Sequence, residues 1–131
     1  MDAAAAIDEL RSLSTQINVI LVAGRDGAVT ASTVDAARAD RLGSLARDLV
    51  AGADRVRGDL GRDALSQLQA ATPEGSVFVV LDGERMAVAT TGADPTVGLV
   101  FYDLKTLLRQ LGDGEDAPAS APAEAKEGGD A

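Results

Sequence analysis

The sequence predicts an α/β fold, a three-layer α/β/α sandwich in which one mainly antiparallel sheet lies between helices. Three observations carry this. Ile17–Ala23 (INVILVA) and Ser76–Leu81 (SVFVVL) are short and apolar on both faces, as strands covered from two sides are. Each runs through an Asp-Gly turn into a further strand-like stretch, and so short a connection joins antiparallel neighbours. Three other segments carry apolar residues at helical spacing, and two-sided strands need helices on both faces.

In chain order, Asp2 is placed to cap a first helix running to about Ser14, with Ala3, Ile7 and Leu10 on its buried side. Gly24-Arg25-Asp26-Gly27 reverses the first strand, and Ala28–Thr33 returns with period-2 alternation. Asp35–Arg57 then reads as a long helix of about six turns, with Asp35 or Thr33 as N-cap. Leu42, Leu45, Leu49, Ala53 and Val56 share one face of it, beside a row of small residues, Ala36, Ala39, Gly43, Ala46 and Val50. Together the rows cover roughly half the circumference, more than one neighbour requires. The leucine row suits the domain's own core, and the small-residue row would let a second backbone approach. Gly43 and Gly52 each cost about 1 kcal/mol relative to alanine, which marks places of close packing.

Gly58–Gly61 ends that helix. Arg62–Thr72 fits a helix through Leu65 and Leu68 and a strand through its alternation, with local propensity leaning helical. Thr72-Pro73-Glu74-Gly75 is a turn into Ser76–Leu81, and Asp82-Gly83 turns into a strand over Arg85–Thr91. Asp94-Pro95 predicts a helix start, with an acidic N-cap and proline at the first helical position. Val97, Val100, Phe101, Leu104, Leu107, Leu108 and Leu111 form its apolar stripe. With Arg62–Thr72 as a strand, the order is α-β-β-α-β-β-β-α. Residues 1–111 make one domain, and residues 112–131, rich in alanine, proline, glycine and acid, are expected to be a disordered tail.

Composition narrows function. The chain has no cysteine and no histidine, which removes disulfides, thiolate metal sites, most zinc sites and histidine-activated nucleophiles such as Ser32 or Thr33 would need. Neither GxxxxGK[ST] nor GxGxxG occurs, and Asp26 and Asp82 are explained by their turns. Gly112–Asp116 is acidic without the spacing of a calcium loop. Three aromatic residues furnish poorly any stacking site for a flavin, haem or base, so neither cofactor nor metal is expected. A net charge of -9 opposes nucleic-acid binding. The acidic N-terminus and the lack of a membrane-length apolar run lead us to expect a cytoplasmic protein without membrane association. The tail holds six acids against Lys126, whereas the long helix is slightly basic, with five arginines against Asp35, Asp40, Asp48 and Asp54.

The element order, the strand–turn–strand INVILVAGRDGAVTAS, the long helix after it and the ending ADPTVGLVFYDLKTLL together resemble the roadblock / dynein light chain family, most of all its bacterial MglB-like branch. The resemblance covers about residues 3–111. It implies a five-stranded antiparallel sheet with one helix on one face and two on the other. It further implies a non-enzymatic homodimer that binds or regulates a Ras-like small GTPase. Second helices would pack together through Ala36, Ala39, Gly43, Ala46 and Val50, and third strands would pair edge to edge around Leu65, Gln67 and Gln69. Hydrolysis in that branch is promoted without an arginine finger, so Arg25, Arg38 and Arg85 receive no such role. The arc bearing Arg41, Arg47 and Arg55 is the candidate surface for the GTPase. The tail differs from MglB-like proteins in which an amphipathic helix follows the domain. The alternatives are a dimeric scaffold without GTPase regulation, or a small-ligand sensor in a PAS-like or profilin-like sandwich; an autonomous enzyme is the least expected class.

Overall fold

The computed structural model describes residues 2–61 and 65–112. Its elements are α1 (Ala3–Leu13), β1 (Ile17–Gly24), β2 (Val29–Ser32), α2 (Ala36–Asp59), β3 (Gln67–Thr72), β4 (Gly75–Asp82), β5 (Arg85–Thr91) and α3 (Val97–Gly112). The five strands form one antiparallel sheet, as the family resemblance implies, and their order in it is β2-β1-β5-β4-β3. The expected disordered tail lies outside the described residues, apart from Gly112, which closes α3.

Strand alternation sorts the side chains into two cores. Ile20 and Val22 of β1, Phe78 and Val80 of β4, and Ala87 and Ala89 of β5 meet α1 and α3 on one face. There Phe78 and Phe101 pack edge to face, with ring centroids 5.1 Å apart and planes at 78°. Leu21 and Ala23, Val79, and Met86 and Val88 point to the other face, where they meet Ala46 and Val50 of α2. Two helices therefore cover one face and a single helix covers the other.

Local chemistry places the boundaries. The Asp2 carboxylate accepts from the Ala5 amide at 2.8 Å and caps α1, and the Asp35 carboxylate accepts from the Arg38 amide at 2.9 Å and caps α2. Gly27 and Gly83 take positive φ of 90° and 63° in the two Asp-Gly turns. The stretch over Arg62–Thr72, ambiguous by propensity, is a strand from Gln67 onward, paired residue for residue with β4. The helix start at Asp94-Pro95 is displaced. Asp94 adopts φ 58°, a left-handed conformation that aspartate tolerates, and α3 begins only at Val97. Thr96 instead leads the helix: its carbonyl accepts from the Leu99 and Val100 amides, and its amide donates to Gln16 Oε1 at 2.8 Å.

At the opposite end of the sheet, Arg25 ties three segments together. Its Nη2 lies 3.0 Å from Asp54 Oδ2 of α2, and its Nη1 donates to the Gly83 carbonyl at 3.4 Å. The second Asp54 oxygen accepts from the Leu65 amide at 3.1 Å, just before β3. Both side chains keep about a third of their surface in water, so the ion pair contributes modestly.

Two measurements check this packing. Gly43→Ala should lower stability by about 1–3 kcal/mol despite its better helix propensity, because the added methyl meets a backbone carbonyl. Gly52→Ala should raise stability by about 0.5–1 kcal/mol, since only the far end of Arg55 comes within 4.0 Å of the new carbon. Equal shifts in urea midpoint for the two variants would contradict this account of the helix. Asp54→Ala should cost about 1–2 kcal/mol by removing the ion pair and stranding the Leu65 amide, while Asp40→Ala, at an exposed position of the same helix, should change the midpoint little.

Candidate functional site

The outer face of α2 is built by what its inner face must accommodate. A methyl on Gly43 would come 2.7 Å from the Gly27 carbonyl oxygen and 3.1 Å from Val29 Cγ2. The helix backbone thus rests almost directly on the β1–β2 turn, where no larger side chain fits. Ala39, Ala46 and Val50, on the same row, are at most 4% exposed.

This reverses the orientation expected from the sequence. The small-residue row does not wait for a second chain: Ala39, Gly43, Ala46 and Val50 are buried against the protein's own sheet, and only Ala36, at the exposed helix start, stands clear of it. The leucine row faces outward. Leu45 is 60%, Leu49 39% and Val56 59% exposed, while Leu42 leans into the second core. The physical reason is separation. Leucines between helix and sheet would hold α2 farther out than its contact with the Gly27 backbone allows. The usable signal was the glycine in the small row, whose company is a turn of the same chain.

Beside this row α2 and the sheet leave an open groove of about 280 Å³, walled by Val19, Val34, Leu42 and Thr90 with Arg38 and Arg41 at its rim. The three arginines singled out from sequence all sit on exposed positions of α2. Arg47 pairs with its neighbour Asp48 at 3.2 Å, in water. Arg41 and Arg55 have no ion-pair or hydrogen-bond partner among the described residues. Arg25 is occupied by Asp54 and the Gly83 carbonyl, so it is a structural residue.

β3 lies at the end of the sheet, with β4 on one side and no strand on the other, and its approach is tied to α2 by Asp54 and the Leu65 amide. Gln67 and Gln69 oppose Val80 and Phe78 and so point to the α1–α3 face, and Gln69 Nε2 donates to Ser76 Oγ at 3.2 Å. Leu65 packs into the second core and is half-buried. Ser32 and Thr33 are absorbed by structure: Ser32 Oγ accepts from the Val34 amide and Thr33 Oγ1 from the Ile20 amide. No group of three or more acidic side chains among the described residues is arranged to hold a metal ion, and no described helix is long and apolar enough to cross a membrane.

Comparison with known proteins gives the arrangement its kinship. Among curated proteins none matches the sequence. In structure, the chain is similar to a Roadblock/LC7 domain from Streptomyces avermitilis, with a TM-score of 0.80 at 16% identity over 86% of this chain and 97% of that one. It is similar to MglB of Myxococcus xanthus, with a TM-score of 0.74 at 18% identity over 85% of this chain and 92% of the other. An MglB with tetrameric arrangement matches at a TM-score of 0.74 and 16% identity, covering 85% of both chains. These likenesses show the fold. The model of the Roadblock/LC7 domain family matches residues 4–91, from α1 through β5. The chain belongs to the Roadblock/LC7 domain family.

Proposed function

We propose that this protein is a non-enzymatic homodimeric adaptor that binds and regulates a Ras-like small GTPase in a bacterial signalling module, acting in the cytoplasm. Family membership and the likeness to MglB structures support the regulatory reading. The observations that carry the dimer are the outward leucine row of α2 and the open edge strand β3. Large apolar side chains exposed in a row favour covering, and each one buried is worth about 1.5–3 kcal/mol. An unpaired edge offers a template for a second copy. The seam that follows is Leu45, Leu49 and Val56 with the β3 edge, in place of the small-residue row. Leu65, Gln67 and Gln69 belong to this reading through the strand that carries them.

A GTPase would meet the arginine-bearing arc. Arg41 and Arg55 have no partner to surrender among the described residues, so a carboxylate from another protein can pair with them at little desolvation cost. Catalysis by this chain itself has no support in its composition, which lacks histidine and cysteine. The protein's contribution is then to position a partner's own residues.

Leu45→Glu combined with Leu49→Glu should leave the fold intact by circular dichroism, because both side chains face water in the single chain. In light scattering the mass should halve, with dimer affinity weakened about 100-fold or more. Ala46→Glu should unfold the protein instead, since it drives a charge into a fully buried position. A double variant that stays dimeric would remove the leucine row from the seam. Mixed with a Ras-like GTPase encoded beside it, the wild type should co-elute and change GTP turnover, and Arg41→Glu with Arg55→Glu should abolish both effects without disturbing the dimer. Absence of a complex in either nucleotide state would leave a scaffold and end the regulatory reading for that partner.

A further inference from the structure

Covering α2 accounts for only one side of the molecule. Of the large apolar side chains exposed among the described residues, Leu13, Val97, Leu99 and Tyr102 lie across the sheet, on α1 and α3. Leu13 is 74% and Tyr102 60% exposed. They border a groove of about 170 Å³ between the two helices, whose polar walls are Glu9 of α1 and Asp103, Thr106 and Gln110 of α3.

Charge in this groove is one-sided. The carboxylates of Glu9 and Asp103 have no ion-pair or hydrogen-bond partner among the described residues. The bases of α3 do not compensate them. Lys105 and Arg109 line a different groove, against β4 near Asp82, and Arg109 Nη2 donates to Thr106 Oγ1 at 3.1 Å. Partial burial raises the Asp103 carboxyl above its ordinary value, the direction expected of an acid that loses water without gaining a cation.

We infer that the α1–α3 groove docks a cationic amphipathic helix from a different protein, with aliphatic side chains on Leu13 and Tyr102 and a Lys or Arg between Glu9 and Asp103. A valley between two packed helices has the shape a third helix fills. Complementarity selects the sign: two unpaired carboxylates reject an acidic segment and reward a basic one. A second copy of this chain is a poor occupant, because it carries a net charge of -9. Anionic lipid and nucleic acid are excluded by the same carboxylates. The proposal does not depend on the GTPase reading, since it concerns the opposite face of the sheet.

The test uses the full chain, isotope-labelled for NMR, and a fluorescent Leu/Lys peptide of about four turns with leucines at i, i+3 and i+4 spacing. A Leu/Glu peptide of the same pattern is the counter-probe. The Lys peptide should bind at micromolar concentration, weaken as salt rises, and shift resonances of residues 6–13 and 99–110. Glu9→Gln with Asp103→Asn, and separately Leu13→Ser with Tyr102→Ser, should each weaken binding about tenfold or more with the circular dichroism unchanged, as surface substitutions permit. Four results would overturn the inference: no binding, equal binding of the Glu peptide, wild-type affinity in both double variants, or shifts confined to α2 or to residues 113–131. The leucine variants of α2 should bind the Lys peptide as the wild type does, which separates this result from the fate of the dimer.

Discussion

The contact between the α2 backbone and the β1–β2 turn decides more of this molecule than any side-chain interaction. Gly27 meets two demands at once: a positive φ that closes the turn, and a carbonyl on which a helix can lie. Gly43 answers it from the helix. With the two backbones touching there, α2 can place only alanine, glycine and valine beneath itself, and every leucine of the helix is displaced outward or to the flank. The exposed surface of the protein is therefore a by-product of how closely the helix sits. A lone glycine inside a helix usually weakens it; here the loss, about 1 kcal/mol, is offset by what close seating permits.

The two cores are unequal in consequence. The face covered by α1 and α3 holds the aromatic pair and the large buried leucines of α3, with most of the fully buried volume. The face under α2 is thin, built from two small helix residues and the alternating side chains of three strands, with Val29, Leu42, Leu65, Leu68, Val77 and Leu81 only partly covered. Apolar area left half in water favours whatever completes it, which is the physical content of calling this face an interaction surface. The better-covered face makes a separate statement, because its surplus is not an incomplete core but a rim of leucine, tyrosine and unpaired carboxylate above a finished one.

Most of the architecture was legible in the sequence because several levels of information agreed. The strands apolar on both faces, the Asp-Gly turns and the aspartate caps at Asp2 and Asp35 each specify a local structure that packing then accepts. Three points were not legible, each for a stated reason. β3 is held by its ladder to β4 and not by propensity, so Arg62–Thr72 read locally leans toward helix. Asp94 satisfies the outward signs of an N-cap but is drawn into a left-handed turn, leaving Thr96 to begin α3. The orientation of α2 depends on a distance between two backbones, and periodicity counts faces without measuring distances. Periodicity matches the larger row to the core, whereas the space beneath the helix admits only the smaller. Arg41, Arg47 and Arg55 are exposed on the outer arc, while the two apolar rows exchange the places that periodicity gives them.

Asp54 has a significance that its modest ion pair does not convey. One of its oxygens holds Arg25, which also grips the β4–β5 turn, and the other holds the amide that leads into β3. A single carboxylate thus links α2 both to the β4–β5 turn, through Arg25, and to the residue that leads into the edge strand. On the proposed reading, helix and strand would meet a newcomer as elements already tied together. Association then forgoes much of the entropy cost of arranging two independent elements, and a partner must fit both at once or neither. On the proposed reading, a partner's fit would depend on a side chain that it need not touch.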